Sequence, residues 1–147
     1  MAVSSNRLGD PPLKRTIGVQ VPLRLRMKIL FLDDDKERHA RFQRNRIGQN
    51  ITAVWSYEEA VKALEETVFD IAYLDHDLSD MAASGYPAKG EKTGTDVAKY
   101  IAEMSEDRRP KKIVIHSFNY YGRLRMADIL KDAGVTKVRI EPFHRDI

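Results

Sequence analysis

The chain has 147 residues, 42% of them hydrophobic and 32% charged, with no cysteine and a formal net charge of +3. That length fits one domain with a full core, and the missing cysteines exclude disulfides and thiolate metal centres. No apolar run nears membrane-spanning length and no signal-peptide core opens the chain, so a cytoplasmic protein with no membrane partner is expected; so small a net charge points only weakly to polyanions.

Residues 1–26 read as an N-terminal arm. Residues 1–15 are polar and contain Pro11 and Pro12. Ile17, Val19, Val21, Leu23 and Leu25 then alternate with Gly18, Gln20, Pro22, Arg24 and Arg26, a period-two strand that Pro22 confines to a sheet edge. Residues 27–147 form the domain proper. Lys28–Leu32 is a strand and 36–47 a helix stopped by Gly48; 51–54 is a short strand. Ser56 opens a helix with a capping box to Glu59 and a buried stripe of Ala60, Val61 and Leu64. The third strand spans 69–74. The connection 79–92 carries Gly85, Pro87 and Gly90; its length predicts a mobile lid, with Tyr86, Lys89 and Lys92 turned to a bound phosphate or nucleotide. Thr93 or Thr95 caps a helix with Val97, Ala98, Ile101 and Met104 at helical spacing. Lys112–Ile115 is the fourth strand, and 121–133 a helix carrying Leu124, Met126, Ile129 and Leu130, with Gly134 at C′. The fifth strand is 136–140. Alternation of strand and helix implies a parallel sheet covered on both faces.

Three strands stop at residues that chemistry uses. ILFLDDD and DIAYLDHDL end in acids, and KIVIHSFN ends in histidine. In an open parallel sheet the carboxyl ends of the strands face one crevice, which would receive Asp33, Asp34, Asp35, Asp75, Asp77 and His116. Carboxylates crowded there repel one another unless a cation or proton offsets them, and hard oxygen ligands suit Mg²⁺ or Mn²⁺. Asp35 fits better as the cap of the next helix, while Asp77 offers the metal either its carboxylate or its backbone. His116 is placed as general acid or base, or is a satisfied core histidine. His76 takes a structural or a substrate-facing role. Ser117 and Asn119 either donate to a phosphate oxygen or cap the following helix. Glu141 is a further base or an arginine's partner. The helix after the first strand carries Arg38, His39, Arg41, Arg44 and Arg46, and Arg108, Arg109, Lys111 and Lys112 precede the fourth strand. Each run is either a solvated face or, for the first, which starts beside the crevice at Arg38, a track for a phosphate or an RNA. Tyr120 and Tyr121 either pack or stack a base.

KILFLDDDKER, DIAYLDHDL, KIVIHS and VRIEPF together resemble the strand ends of a response-regulator receiver domain, over most of the chain outside the arm. The resemblance implies a flavodoxin-like five-stranded sheet of order 2-1-3-4-5; as a departure from the receiver pattern, the final helix is expected to be missing. The resemblance further implies Mg²⁺ held by Asp33 and Asp34, a phosphoryl acceptor at Asp75, and a metal-binding backbone carbonyl at Asp77. Two departures stand out: the fourth strand runs into His116-Ser117, and Glu141-Pro142 replaces the receiver's Lys-Pro. A glutamate opposes an incoming phosphoryl group by roughly 4 kcal/mol at about 4 Å and an effective dielectric near 20. LDHDL with HSFNYYG is similar to the divergent cyclic-phosphate-processing receiver-like branch, which is associated with RNA repair and phage genomes. That resemblance implies a metal-dependent phosphoesterase whose substrate is a nucleotide or RNA-terminal cyclic phosphate, with Asp33, Asp34, Asp75 and Asp77 as the metal set and Asp75, His116 and Asp34 as the catalytic set. Ser117, Asn119, His76, Lys89 and Arg38 are the substrate contacts it leaves room for, and a homodimer is compatible with it. The rivals are a non-enzymatic receiver or pseudo-receiver module, and a haloacid-dehalogenase-like phosphatase, whose Asp-x-Asp-x-Ser/Thr pattern DHDLS fits but after the wrong strand.

Overall fold

The computed structural model describes Pro22 and residues 26–78 and 91–141. The expected edge strand in the arm, the lid with Tyr86 and Lys89, and Pro142 lie outside the described residues. The elements are β1 (Lys28–Leu32), α1 (Lys36–Arg44), β2 (Asn50–Val54), α2 (Tyr57–Glu66), β3 (Ile71–Leu74), α3 (Gly94–Glu103), β4 (Lys112–Ile115), α4 (Tyr120–Asp132) and β5 (Val138–Ile140), with a 3₁₀ turn at Glu106–Arg108. All five strands are parallel and lie in the order β2-β1-β3-β4-β5, the flavodoxin-like arrangement.

Alternation along buried strands divides the core in two. Leu30, Leu32, Ala72, Leu74, Ile113 and Ile115 pack with α2, α3 and α4 on one face. Ile29 and Phe31 face the other way and meet Phe42 of α1, whose ring stacks on Phe31 with centroids 4.0 Å apart. The register aligns Leu32 with Leu74 and Leu74 with Ile115, so the strands end at one level.

Several expected boundaries move, each for a local reason. α1 closes at Arg44, not 47: the Asn45 N–H returns to the carbonyls of Arg41 and Gln43, and the turn passes through Gly48 at φ 92°. Ile47 is exposed, so no burial draws the helix on. At α2 the expected capping box is half made. Ser56 Oγ accepts from the Glu59 N–H, but the Glu59 carboxylate accepts from Trp55 N instead of Ser56 N. The buried stripe there is Ala60, Ala63 and Leu64, with Val61 only half-buried. The reciprocal box is at α3, between Thr93 and Asp96. α4 starts at Tyr120 because the Asn119 carboxamide oxygen accepts from the Gly122 N–H. Its buried side is Gly122, Met126, Ala127 and Leu130, which leaves Leu124 largely outside.

A candidate metal centre at the carboxyl ends of the strands

The sheet ladder runs one residue past the strands. Asp33 N–H donates to the Val54 carbonyl, Asp75 N–H to Leu32, His116 N–H to Leu74, and Glu141 N–H to Ile115. Four residues of interest are thereby fixed in a row by backbone bonds. Alternation from Phe31, Tyr73 and Val114 turns the side chains of Asp33, Asp75 and His116 toward the α1 side of the sheet. Asp34, one residue on, completes a group of three carboxylates whose candidate ligand atoms all lie within 4.8 Å of one another.

Arg38 reaches into this group from the first turn of α1. Its Nε and one terminal nitrogen grip Asp33 in a two-pronged contact at 2.8 Å each, and that nitrogen also lies 3.4 Å from Asp75 Oδ2 and 3.6 Å from Asp34 Oδ1. The fork geometry of guanidinium suits such a bridge, which a lysine would make only at one point. Asp35 caps α1, accepting from the N–H groups of Glu37 and Arg38; the Arg38 N–H chiefly holds its carboxyl below the ordinary range.

One guanidinium does not neutralise three carboxylates. Burial, followed by the charge of Asp33, pushes Asp34 up to about 6. The same two causes raise Asp75 well above the usual carboxylate range, although Arg38 pulls against them. Such perturbation marks a place where a further positive charge would be stabilising. The donor set, all carboxylate oxygen, fits a hard divalent cation.

His116 is fully buried, its ring stacked parallel to Phe31 and its Nδ1 3.6 Å from Asp33 Oδ2. Burial lowers its pKa to about 4 despite the nearby Asp33 charge. The imidazole is therefore neutral near pH 7, not poised there as its unperturbed value suggested. Asp77 lies outside the three-carboxylate group. Its Oδ1 is 2.9 Å from His76 Nδ1 and 3.5 Å from the Asn119 amide nitrogen. Ser117 is buried, with its Oγ accepting from the Asn119 N–H. Ser117 and Asn119 thus serve the turn into α4, and Glu141 pairs with Arg139. Within the second basic cluster, Arg109 has a structural task. Arg109 donates to the carbonyls of Ile101, Ala102, Met104 and Ala133, tying together the ends of α3 and α4.

Three site-building residues escape a reading of the sequence. His39 Nε2 donates to the Asp33 carbonyl at 2.8 Å, under a Trp55 ring stacked 3.7 Å away. Its signal lies in the spacing to Phe42, the two buried positions of a helix that is otherwise mostly charged. Gly94 donates its N–H to the His76 carbonyl, and a Cβ there would stand 2.0 Å from the Asp75 carbonyl oxygen. Gly122 lies against the His76 ring, where a Cβ would be 2.6 Å from its carbons. Gly94 lets α3 approach the 75–76 backbone and Gly122 lets α4 approach the His76 ring, demands no local pattern reveals.

Strand order, crevice and acid set define a receiver-type α/β domain. The chain belongs to the cyclic-phosphate-processing receiver-domain family, whose model matches residues 28–132. Its fold is similar to the signal receiver domain of a putative LuxO repressor protein from Vibrio parahaemolyticus, with a TM-score of 0.57, 20% identity, and 83% of each chain covered. A CheY-like receiver domain from Methanospirillum hungatei is similar at a TM-score of 0.57 and 20% identity, covering 82% of this chain and 86% of that one. TrrA from Thermotoga maritima, solved in complex with Mg²⁺-BeF, has a TM-score of 0.56 at 20% identity, covering 82% and 90%. A comparison with curated protein sequences finds no match. No helix among the described residues is long and apolar enough to cross a membrane.

Proposed function

We propose that this domain is a metal-dependent phosphoesterase acting on a nucleotide or RNA-terminal cyclic phosphate. The observation that carries the reading is the group Asp33, Asp34 and Asp75, gathered within 4.8 Å, with the carboxyls of Asp34 and Asp75 raised by burial and by Asp33 although Arg38 pulls against them. Family membership supplies the substrate class, and the Mg²⁺ in the TrrA complex supports the metal. Glu141, in place of a phosphoryl-pairing lysine, argues against a conventional signalling cycle.

Asp33, Asp34 and Asp75 would hold Mg²⁺ or Mn²⁺, which when bound offsets charge on the phosphoryl oxygens and lowers the pKa of water. Arg38 fixes the orientation of Asp33 and Asp75 and brings a permanent positive charge to the phosphate. In this reading His116, buried and neutral in the resting site, would take a proton from the attacking water and return it to the leaving oxygen as the ester P–O bond breaks, a role that requires its ring to come within hydrogen-bond reach of that water. Asp75 as a covalent nucleophile is the variant nearest to receiver chemistry.

Purified protein incubated with Mn²⁺ and a nucleoside 2′,3′-cyclic phosphate should yield a nucleoside monophosphate, and a chelator should stop the reaction. A receiver-like binding module would bind the metal and leave the cyclic ester intact. That result would exclude the enzymatic reading for this ester class.

A further inference from the structure

Large hydrophobic side chains are exposed unevenly. Six are exposed among the described residues, and four of these, Phe118, Tyr120, Tyr121 and Leu124, fall within seven consecutive positions. Tyr121 is 81% exposed, Phe118 71% and Tyr120 56%. Exposure of single apolar residues is ordinary, but a run of three aromatics at one strand-to-helix turn is not.

The place of this run matters. It follows directly on His116 and Ser117 at the end of β4, the strand beside β3 and its Asp75. Asn119, in the middle of the run, sets its amide nitrogen 3.4 Å from His76 Nδ1 and 3.5 Å from Asp77 Oδ1. The aromatic turn is thus continuous with the rim of the acidic crevice. It is also held in shape: Tyr120 and Tyr121 meet edge to face at 5.3 Å between centroids, and the Arg123 guanidinium lies 5.2 Å from the Tyr120 ring centre while bonding to the Ser117 carbonyl.

Among the described residues the patch is narrow. Beyond the first turns, the exposed positions of α4 are Arg125, Asp128, Lys131 and Asp132, all charged. A stable protein interface takes roughly 800 Å² per partner with an apolar centre, more than one turn and its flanks present. A planar base needs no more than one or two ring faces.

We infer that Phe118, Tyr120 and Tyr121 form a nucleobase platform, so that the phosphate ester acted on in the crevice carries a base. This rests on the proposed phosphoesterase reading and adds what selects the substrate. Stacking on aromatic rings is tolerant of sequence, because every base offers a π-face. The site then takes any of the four bases and rejects esters that lack one.

Calorimetry with two unreactive probes in the presence of Mg²⁺, adenosine 3′-monophosphate and glycerol phosphate, tests this. The adenosine ester should bind about ten- to a hundredfold more tightly, the range of base–aromatic stacking. The double variant Tyr120→Ala/Tyr121→Ala should lose most of that difference and leave glycerol phosphate affinity and melting temperature unchanged. Tyr120→Phe/Tyr121→Phe should retain it. Equal affinities for the two probes, an unchanged gap in the alanine variant, or a change of oligomeric mass in that variant would overturn the platform and leave the phosphoesterase reading standing. Failure of the wild type to bind either probe would overturn both.

Discussion

The acids and the histidine of the crevice titrate in opposite senses, and their pH dependence follows. A metal must displace the proton that burial and Asp33 keep on Asp34 up to about pH 6, so metal affinity should fall as pH is lowered through that value. Titration of Mn²⁺ at about pH 8 and about pH 5 checks this; equal affinities would mean that Asp34 is not a ligand. His116 bears on stability. Its folded pKa of about 4 lies below the ordinary 6.5, so the unfolded chain takes up a proton that the folded chain refuses. Its contribution is complete above about 6.5 and is lost as pH falls toward 4, to a total of about 3 kcal/mol. The raised Asp34 and Asp75 work the other way, the fold gaining stability as they protonate. Comparison with His116→Asn isolates the histidine: the wild type should lose more stability than the variant across this window, measured by denaturant unfolding.

At the scale of elements, two close approaches and one clamp hold the site. Ala at Gly94 would put a methyl against the Asp75 carbonyl, where neither backbone can yield without moving the acid. Gly94→Ala should destabilise the fold by about 2–3 kcal/mol, in the range for overpacking, and weaken metal binding as well. Arg109→Ala removes bonds to carbonyls at two helix ends and should lower stability by roughly 2–3 kcal/mol while metal affinity holds. Thermal melts beside metal titrations of the two variants separate site-building from plain scaffolding. The elements themselves were largely legible. Runs such as KILFL and KIVI, of five and four residues, share a composition of a lysine followed by apolar residues, and caps such as Asp35 and Asn119 stand where the patterns begin. Boundaries were less so, since whether α1 ends at Arg44 or reaches Gly48 depends on burial that Ile47 does not find. The partner of the Glu59 carboxylate, Trp55 N in place of Ser56 N, is a matter of side-chain reach and not of spacing.

For the whole molecule, the order 2-1-3-4-5 places β1, β3 and β4 side by side, and so joins acids 42 positions apart, Asp33 and Asp75, in one group. That convergence could be read from strand ends because parallel strands share one carboxyl edge. That Arg38 starts beside the crevice could be read too, but not that its guanidinium grips Asp33 and reaches Asp75, since a basic residue in a charged helix gives no sign of turning inward onto the acids. For His116 the sequence left two readings open, proton-transfer group or core histidine; its burial beside a stacked Phe31, and the lowered pKa that burial brings, are seen only in the fold. The claim on which the account depends is that these acids bind metal while His116 moves the proton. The most direct measurement sets Mn²⁺ affinity by calorimetry beside the rate of cyclic-phosphate hydrolysis in Asp75→Asn and His116→Ala. Asp75→Asn should lose metal and turnover together, and His116→Ala should keep metal while turnover falls about 10²–10⁴-fold. Undiminished metal affinity in Asp75→Asn, or loss of metal in His116→Ala as severe as that expected for Asp75→Asn, would contradict it.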